Sequence, residues 1–322
     1  MIRLVRVELS RLAARRLVRL LLLLLLAALV TTAGVQGWQS SRDVAGARAE
    51  AERQASSAQI PPEEREACER AAQADGLPPE ASPCRPPVAA DFYSDPRLTY
   101  ASAAPSFANG GVGLGLAFSG IVAIGVIGAE WAAGTFAALL LWEPRRRRVL
   151  AAKLAAVSVA GAVVTAVVTA AFVAVAWLIA ATRGSIDGAV GDASRTALAS
   201  GGRGVLAALF LAVILGSLAV VVRSTAGALG IVAIYAIVVE NIVRVWRPHW
   251  TRWQLGPNLI ALITGRVDLE PVQQAGSTLG MADTGSPELF RLTGGRAGVY
   301  LVVLAVAAAV SAAVFLQRRD VT

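Results

Sequence analysis

The residues able to do chemistry are few and widely scattered. The chain has one lysine, Lys153, one histidine, His249, and two cysteines, Cys68 and Cys84. A loop that cradles nucleotide phosphates needs Gly-Lys-Ser/Thr, because backbone N–H groups and the ammonium hold the phosphates together. Lys153 stands between Ala152 and Leu154. The chain therefore has no such loop, and any ATP that drives it must be hydrolysed on another polypeptide. The glycine run Gly110-Gly111-Val112-Gly113-Leu114-Gly115 is no dinucleotide fingerprint: its third glycine is misplaced, no strand precedes it and an apolar helix follows. Gly111 and Gly115 suit close helix packing instead. His249 has no second histidine or carboxylate cluster beside it, which argues against a metal site. No set of His, Cys, Asp and Glu converges within the apolar segments, so an enzyme is not expected.

The remaining ionisable groups stand at the ends of apolar runs. Glu130 is followed by Gly134-Thr135, an apolar turn from Phe136 to Trp142 that includes Leu140, then Pro144, the run Arg145, Arg146, Arg147 and Arg148, and Lys153. Each arginine would cost about 2.5–3.5 kcal/mol near the centre of a spanning helix. The run must lie outside the hydrocarbon, and the positive-inside rule places it in the cytoplasm. Residues 136–142 are too few for a span, which needs about 20. An amphipathic elbow near 130–148 is expected, resting on the interface or on a partner. Gly134 permits a tight entry, and Pro144 ends one short helix and starts the next. The arginines either meet acidic groups on a partner or simply signal topology. A second group, Glu240, Asn241 and Arg244, occupies the outer turns of another span. Ionisable residues there are candidates for a substrate path, although Glu240 and Arg244, one turn apart, are better placed to pair with each other.

Composition sets the frame for these residues. The chain is 56% hydrophobic and 16% charged, against about 25% charged in soluble domains, with a mean hydropathy of +0.60. It reads as an all-α integral membrane protein. Apolar runs at 19–38, 112–131, 150–181, 204–222, 225–246 and 297–316 are long enough for six transmembrane helices. The net charge of +8 comes from arginines flanking spans, which suits anionic lipid rather than nucleic acid.

Residues 1–38 comprise an interfacial helix, with Arg15 and Arg16 at the headgroups, and the first span. A charged start, a leucine run and small residues also describe a cleavable signal peptide, but the length and Glu8 argue for retention. Residues 39–109 form an extracytoplasmic insertion rich in Pro pairs, with one charged helix over 45–59 and otherwise loop. It carries Cys68 and Cys84 in the compartment where a disulfide persists; they either form a bridge, which would stabilise the insertion by about 3 kcal/mol, or remain two idle thiols. Residues 110–245 hold the second to fifth spans and the elbow, with 182–203 as a short polar outer loop. The third span, at roughly 48 Å for 32 residues, exceeds the hydrocarbon and must tilt or project. Residues 246–296 are extracytoplasmic or interfacial, with Trp246, Trp250 and Trp253 as an aromatic belt. There Leu255 to Asn258 should break the helix before a short apolar segment, 259–264. Residues 297–322 hold the last span and a basic tail, so both termini are expected in the cytoplasm.

The pattern Glu130-x-x-x-Gly134-Thr135, Leu140, Pro144, Arg145 to Arg148 and Lys153 resembles the connection between the second and third spans of ABC-2 type permeases, the membrane subunits of ABC exporters. Val7 to Leu12, Leu255 to Asn258 and the terminal Phe315-x-x-Arg318-Arg319-Asp320 are similar to the same family, over residues 1–38 and 110–322. The resemblance implies a coupling helix that docks on a separate ABC ATPase subunit through Glu130, Gly134, Thr135, Leu140, Pro144, Arg145 and Arg146. Arg147, Arg148, Lys153, Arg15 and Arg16 are expected to anchor the membrane surface. ATP and Mg would belong to the partner, with no cofactor on this chain. A second permease copy or paralogue would complete a dimer in a bacterial plasma membrane, exporting a hydrophobic or amphipathic drug, lipid or peptide. The alternative is a non-transporting scaffold or sensor whose outer insertion binds a ligand. That Cys-containing insertion departs from the family's usual pattern, so the family's substrates do not carry over.

Overall fold

The computed structural model describes residues 2–40, 43–74, 84–136, 145–186, 188–269 and 290–318. Helices α1 (Ile2–Ala14) and α2 (Arg16–Gln39) lead into three shorter ones, α3 (Val44–Ser57), α4 (Pro62–Ala74) and α5 (Ala89–Phe92). Four long helices follow: α6 (Tyr100–Ala132), α7 (Arg146–Arg183), α8 (Val190–Val222) and α9 (Thr225–Trp246). The chain then forms α10 (Leu255–Thr264), an antiparallel pair β1 (Arg266–Leu269) and β2 (Phe290–Thr293), and α11 (Gly294–Arg318). Among the described residues α2, α6, α7, α8, α9 and α11 are long and apolar enough to cross a membrane, so the fold is all-α and multi-pass apart from that small β-pair.

The most enclosed of the six is α6, with α7 and α8 packed along it. Small residues set this closeness. A Cβ at Gly111 would lie 2.7 Å from the Thr169 Cα, and one at Gly115 2.7 Å from that of Thr165. The α6 and α7 backbones thus meet directly, as small residues allow in membrane bundles. The main core occupies the half of the bundle nearest the elbow. It joins Leu12, Val18 and Leu25 to Phe118 and Ile127 of α6, Leu154 and Val157 of α7, Leu215 and Val220 of α8 and Leu316 of α11.

At the opposite end, α6, α7 and α8 run beyond the spans read from hydropathy. The structure replaces the expected loop over 182–203 with a tight connection, because α8 begins at Val190. An alanine-lined core of Ala104, Ala108, Ala180, Ala193 and Ala197 with Tyr100 holds this extension. Tyr100 N–H donates to Ser185 O and Ser185 N–H to Leu98 O, each at 3.0 Å. Ser40 Oγ donates to Arg183 O at 3.2 Å and accepts from Leu98 N–H at 3.1 Å. The ends of α2 and α7 are thereby tied to the start of α6.

The segment between α2 and α6 is more helical than its prolines suggested. Pro62 opens α4 rather than blocking it, since proline's fixed φ suits the first helical position and its missing N–H is not needed there. Glu63 and Glu64 follow in the first turn, where the helix dipole favours acids. Cys68 on α4 and Cys84 form a disulfide. Nearby, hydrogen bonds from the Arg97 guanidinium hold the Asp95 carboxyl down to about 2, so it stays ionised through the ordinary pH range. Leu255 to Asn258 do not break a helix either; they are the first turn of α10. The buried Asn258 donates from Nδ2 to Arg252 O at 2.9 Å and Gln254 O at 2.7 Å. Trp246, Trp250 and Trp253 are exposed at this end.

Candidate functional site

Glu130 closes the last turns of α6, and its side chain turns inward. The residue is 7% exposed, and Lys153, two turns into α7, is 4% exposed. Arg15, at the joint between α1 and α2, forms an ion pair with Glu130 Oε1, and Lys153 Nζ contacts Glu130 Oε2. Lys153 also donates to both carboxylate oxygens of Glu8 on α1, at 3.2 Å each. Arg11 stands 3.6 Å from Glu8, and Arg15 Nη1 donates to Val126 O at 3.4 Å. Two acids and two bases thus balance here, Glu8, Glu130 and Lys153 buried and Arg15 half-buried, joining α1, α6 and α7 at the start of α2. Burying ions is costly unless each is paired and hydrogen-bonded, so this arrangement fixes where four elements meet.

The elbow leaves from this cluster. Ala133 ends α6, and Gly134 adopts φ +67, the left-handed C-terminal position that glycine takes without strain. Thr135 Oγ1 donates back to Glu130 O at 3.2 Å. Phe136 folds inward and stacks on Trp131 with ring centroids 4.5 Å apart. Lys153 Nζ lies 5.8 Å from the Phe136 ring. Residues 137–144, including Leu140 and Pro144, lie outside the described residues. The chain is described again at Arg145, which is exposed. Arg146 Nη1 donates to Leu316 O and Arg147 Nη2 to Gln317 Oε1, both at 3.0 Å, securing the last turn of α11. Arg148 and Arg16 are exposed.

The α8–α9 turn reaches the same place. Arg223 takes a left-handed backbone, φ 57. Its guanidinium stacks on Trp131 at 4.6 Å and on Phe315 of α11 at 5.3 Å, cation–π contacts that bind the turn to both neighbours. The ends of α1, α2, α6, α7, α8 and α11 therefore meet at the elbow's root. Lys153, expected at the lipid surface, is instead inside this knot, and Arg15 lies half-buried at its edge. Glu130, expected to face a partner, faces them. Glu8, Trp131, Arg223 and Phe315 were not singled out as site residues, yet one signal was present. Val5, Glu8, Leu9 and Leu12 share a helical face, so an acid sits on an apolar stripe and needs a buried cation.

The second sequence-derived group lies at the other end. Glu240 does not pair with Arg244, which is exposed. Glu240 Oε1 accepts from Gly256 N–H at 2.8 Å, and Glu240 O accepts from Gln254 Nε2 at 2.8 Å. The carboxylate thus sits at the α10 N-terminus, where free N–H groups and the dipole favour an anion. Tyr235 OH accepts from Leu255 N–H at 2.9 Å. Asn241 donates to its own helix at Ile237 O. Glu240 therefore joins α9 to α10.

The fold and this knot define a multi-pass helical membrane protein with its span ends gathered at one elbow. The model of the ABC-2 family transporter protein matches residues 9–321, almost the full length, and the chain belongs to that family. It is a membrane subunit of an ABC transporter, a class that works with an ABC ATPase. No curated protein and no solved structure matches it.

Proposed function

We propose that this chain is the permease half of an exporter, moving a hydrophobic or amphipathic substrate outward through a plasma membrane. ATP is hydrolysed with Mg on a separate ATPase subunit docked against residues 134–148, and a second permease copy or paralogue completes the path. Both termini lie in the cytoplasm. The carrying observation is the convergence of α1, α2, α6, α7, α8 and α11 on the elbow's root through Glu130, Lys153 and Arg223. A ligand-driven push on the elbow then biases the bundle between two packings, which requires only that the ATPase bind one of them better. Glu130 and Lys153 transmit the push, while Arg145 and Leu140 receive it.

The test is to purify the chain with the ABC ATPase encoded beside it and follow co-elution and ATP hydrolysis. Leu140→Asp and Arg145→Glu should each weaken co-elution while leaving the permease monodisperse. Unchanged co-elution in both would remove the elbow as the docking surface. A chain that elutes without any ATPase would favour a scaffold or sensor.

A further inference from the structure

The end of the bundle farthest from the elbow holds a cavity of about 490 Å³ between α6, α8 and the last turn of α10. Its polar wall comprises Asn109 of α6, Arg195, Thr196, Ser200 and Arg203 of α8, and Thr264 of α10. The four α8 residues share one face of the helix, and its two arginines are about 12 Å apart along the axis at 1.5 Å per residue. No carboxylate lines the cavity among the described residues. Arg195 has an exposed contact with Asp192 at 3.5 Å, of a kind that contributes little. Arg203 forms no hydrogen bond or ion pair among the described residues. It is exposed and lies over Gly265, where an added Cβ would come within 2.7 Å of Nη1.

Depth identifies what meets these groups. Helix α8 has 33 residues, about 50 Å in length, whereas the hydrocarbon is about 30 Å thick. Its stretch free of charged residues toward the elbow is Gly204–Val222, about the thickness of the hydrocarbon, so Arg203 is the first residue beyond it. By this length argument the cavity mouth falls at the level of lipid phosphates, with Arg195 farther out along the helix. Guanidinium forks match phosphate oxygens in pairs, and Asn109 adds an amide donor.

We propose that this cavity is a phosphate-binding site, holding the headgroup of an anionic amphiphile or a free phosphate between Arg203 and Asn109, with Arg195 engaging the outer part. The site lies apart from the elbow, and its occupancy needs no nucleotide.

The test uses the purified full chain in neutral detergent without an ATPase, so its outcome and that of the transport reading are independent. Binding of dioctanoyl phosphatidylglycerol is followed by native mass spectrometry, with dioctanoyl phosphatidylcholine for comparison and inorganic phosphate as competitor. Phosphatidylglycerol should bind better than phosphatidylcholine, and Arg203→Gln should raise its half-saturating concentration about tenfold, as expected for losing one charge-assisted contact. Arg195→Gln should have a smaller effect. Competition by inorganic phosphate supports the site with the anion alone as sufficient occupant, and binding without competition supports it with the lipid headgroup as occupant. Should Arg203→Gln fail to fold, Asn109→Leu with Arg195→Gln takes its place and should give a comparable loss. Equal binding of the two lipids, or phosphatidylglycerol binding unchanged by the variants, would overturn the proposal.

Discussion

At Lys153 a single ammonium serves two carboxylates, Glu8 and Glu130, in a place almost closed to solvent. Removing one partner of a buried pair leaves an uncompensated charge, at about 3–5 kcal/mol. Lys153→Met should therefore lower the thermal midpoint of the detergent-purified chain sharply. Glu8→Gln should cost less, because Glu130 keeps Arg15 and Lys153. Residues in one ionic network are not independent, so the double variant should be more stable than the two losses summed, by about 1–3 kcal/mol. Strict additivity in thermal or denaturant unfolding would show that Glu8 and Lys153 are not energetically joined. The sequence exposed the presence of these charges but not their depth. Basic residues at span ends ordinarily reach for the headgroups, and only the docking of α1 on α7 turns Lys153 inward. Gly134, by contrast, was legible, because a tight turn after an apolar helix asks for the backbone freedom that its φ of +67 uses.

Among the elements, α10 shows how a helix is held by its neighbours rather than by its own cap. Gln254 at its N-cap makes no capping bond through its side chain, and the Glu240 carboxylate of α9 receives the Gly256 N–H instead. Glu240→Gln keeps the size and an acceptor but removes the charge that the helix dipole favours. It should destabilise α10 by about 1 kcal/mol, seen as faster amide exchange across the first turn of α10, with α6 unchanged. Uniform acceleration across the bundle would assign Glu240 a global role instead. The six spans were legible because hydropathy over about 20 residues reflects the hydrocarbon itself. Their extensions were not. Beyond the membrane, α6 and α8 are held by alanine packing and backbone bonds at Leu98 and Ser185, which leave little trace in hydropathy. The helical pattern of α4 was hidden by reading Pro62 as a breaker when it is an initiator.

Across the whole molecule, the two ends are built on different principles. The elbow end gathers its elements by buried charge and stacked aromatics; the other end carries a cross-linked segment of short helices. The Cys68–Cys84 bridge closes a short loop, 16 residues in separation, worth about 3 kcal/mol to such a segment. Reduction should make 43–97 readily cleaved by protease while α6 to α8 remain intact by mass spectrometry, and equal resistance before and after reduction would show that the bridge is not what holds this segment. The ion pairs at the elbow have a different reach. Arg15 and Glu130 are 115 positions apart in the chain, and Glu8 and Lys153 are 145 apart. During synthesis the N-terminal charges therefore leave the ribosome first: Arg15 meets Glu130 only once α6 has been made, and Glu8 meets Lys153 only once α7 has begun. Until then Glu8 has only its neighbour Arg11, and α1 cannot settle into its final seat. Its docking is a late step of biogenesis, one that registers at the N-terminus whether the second and third spans have been inserted together.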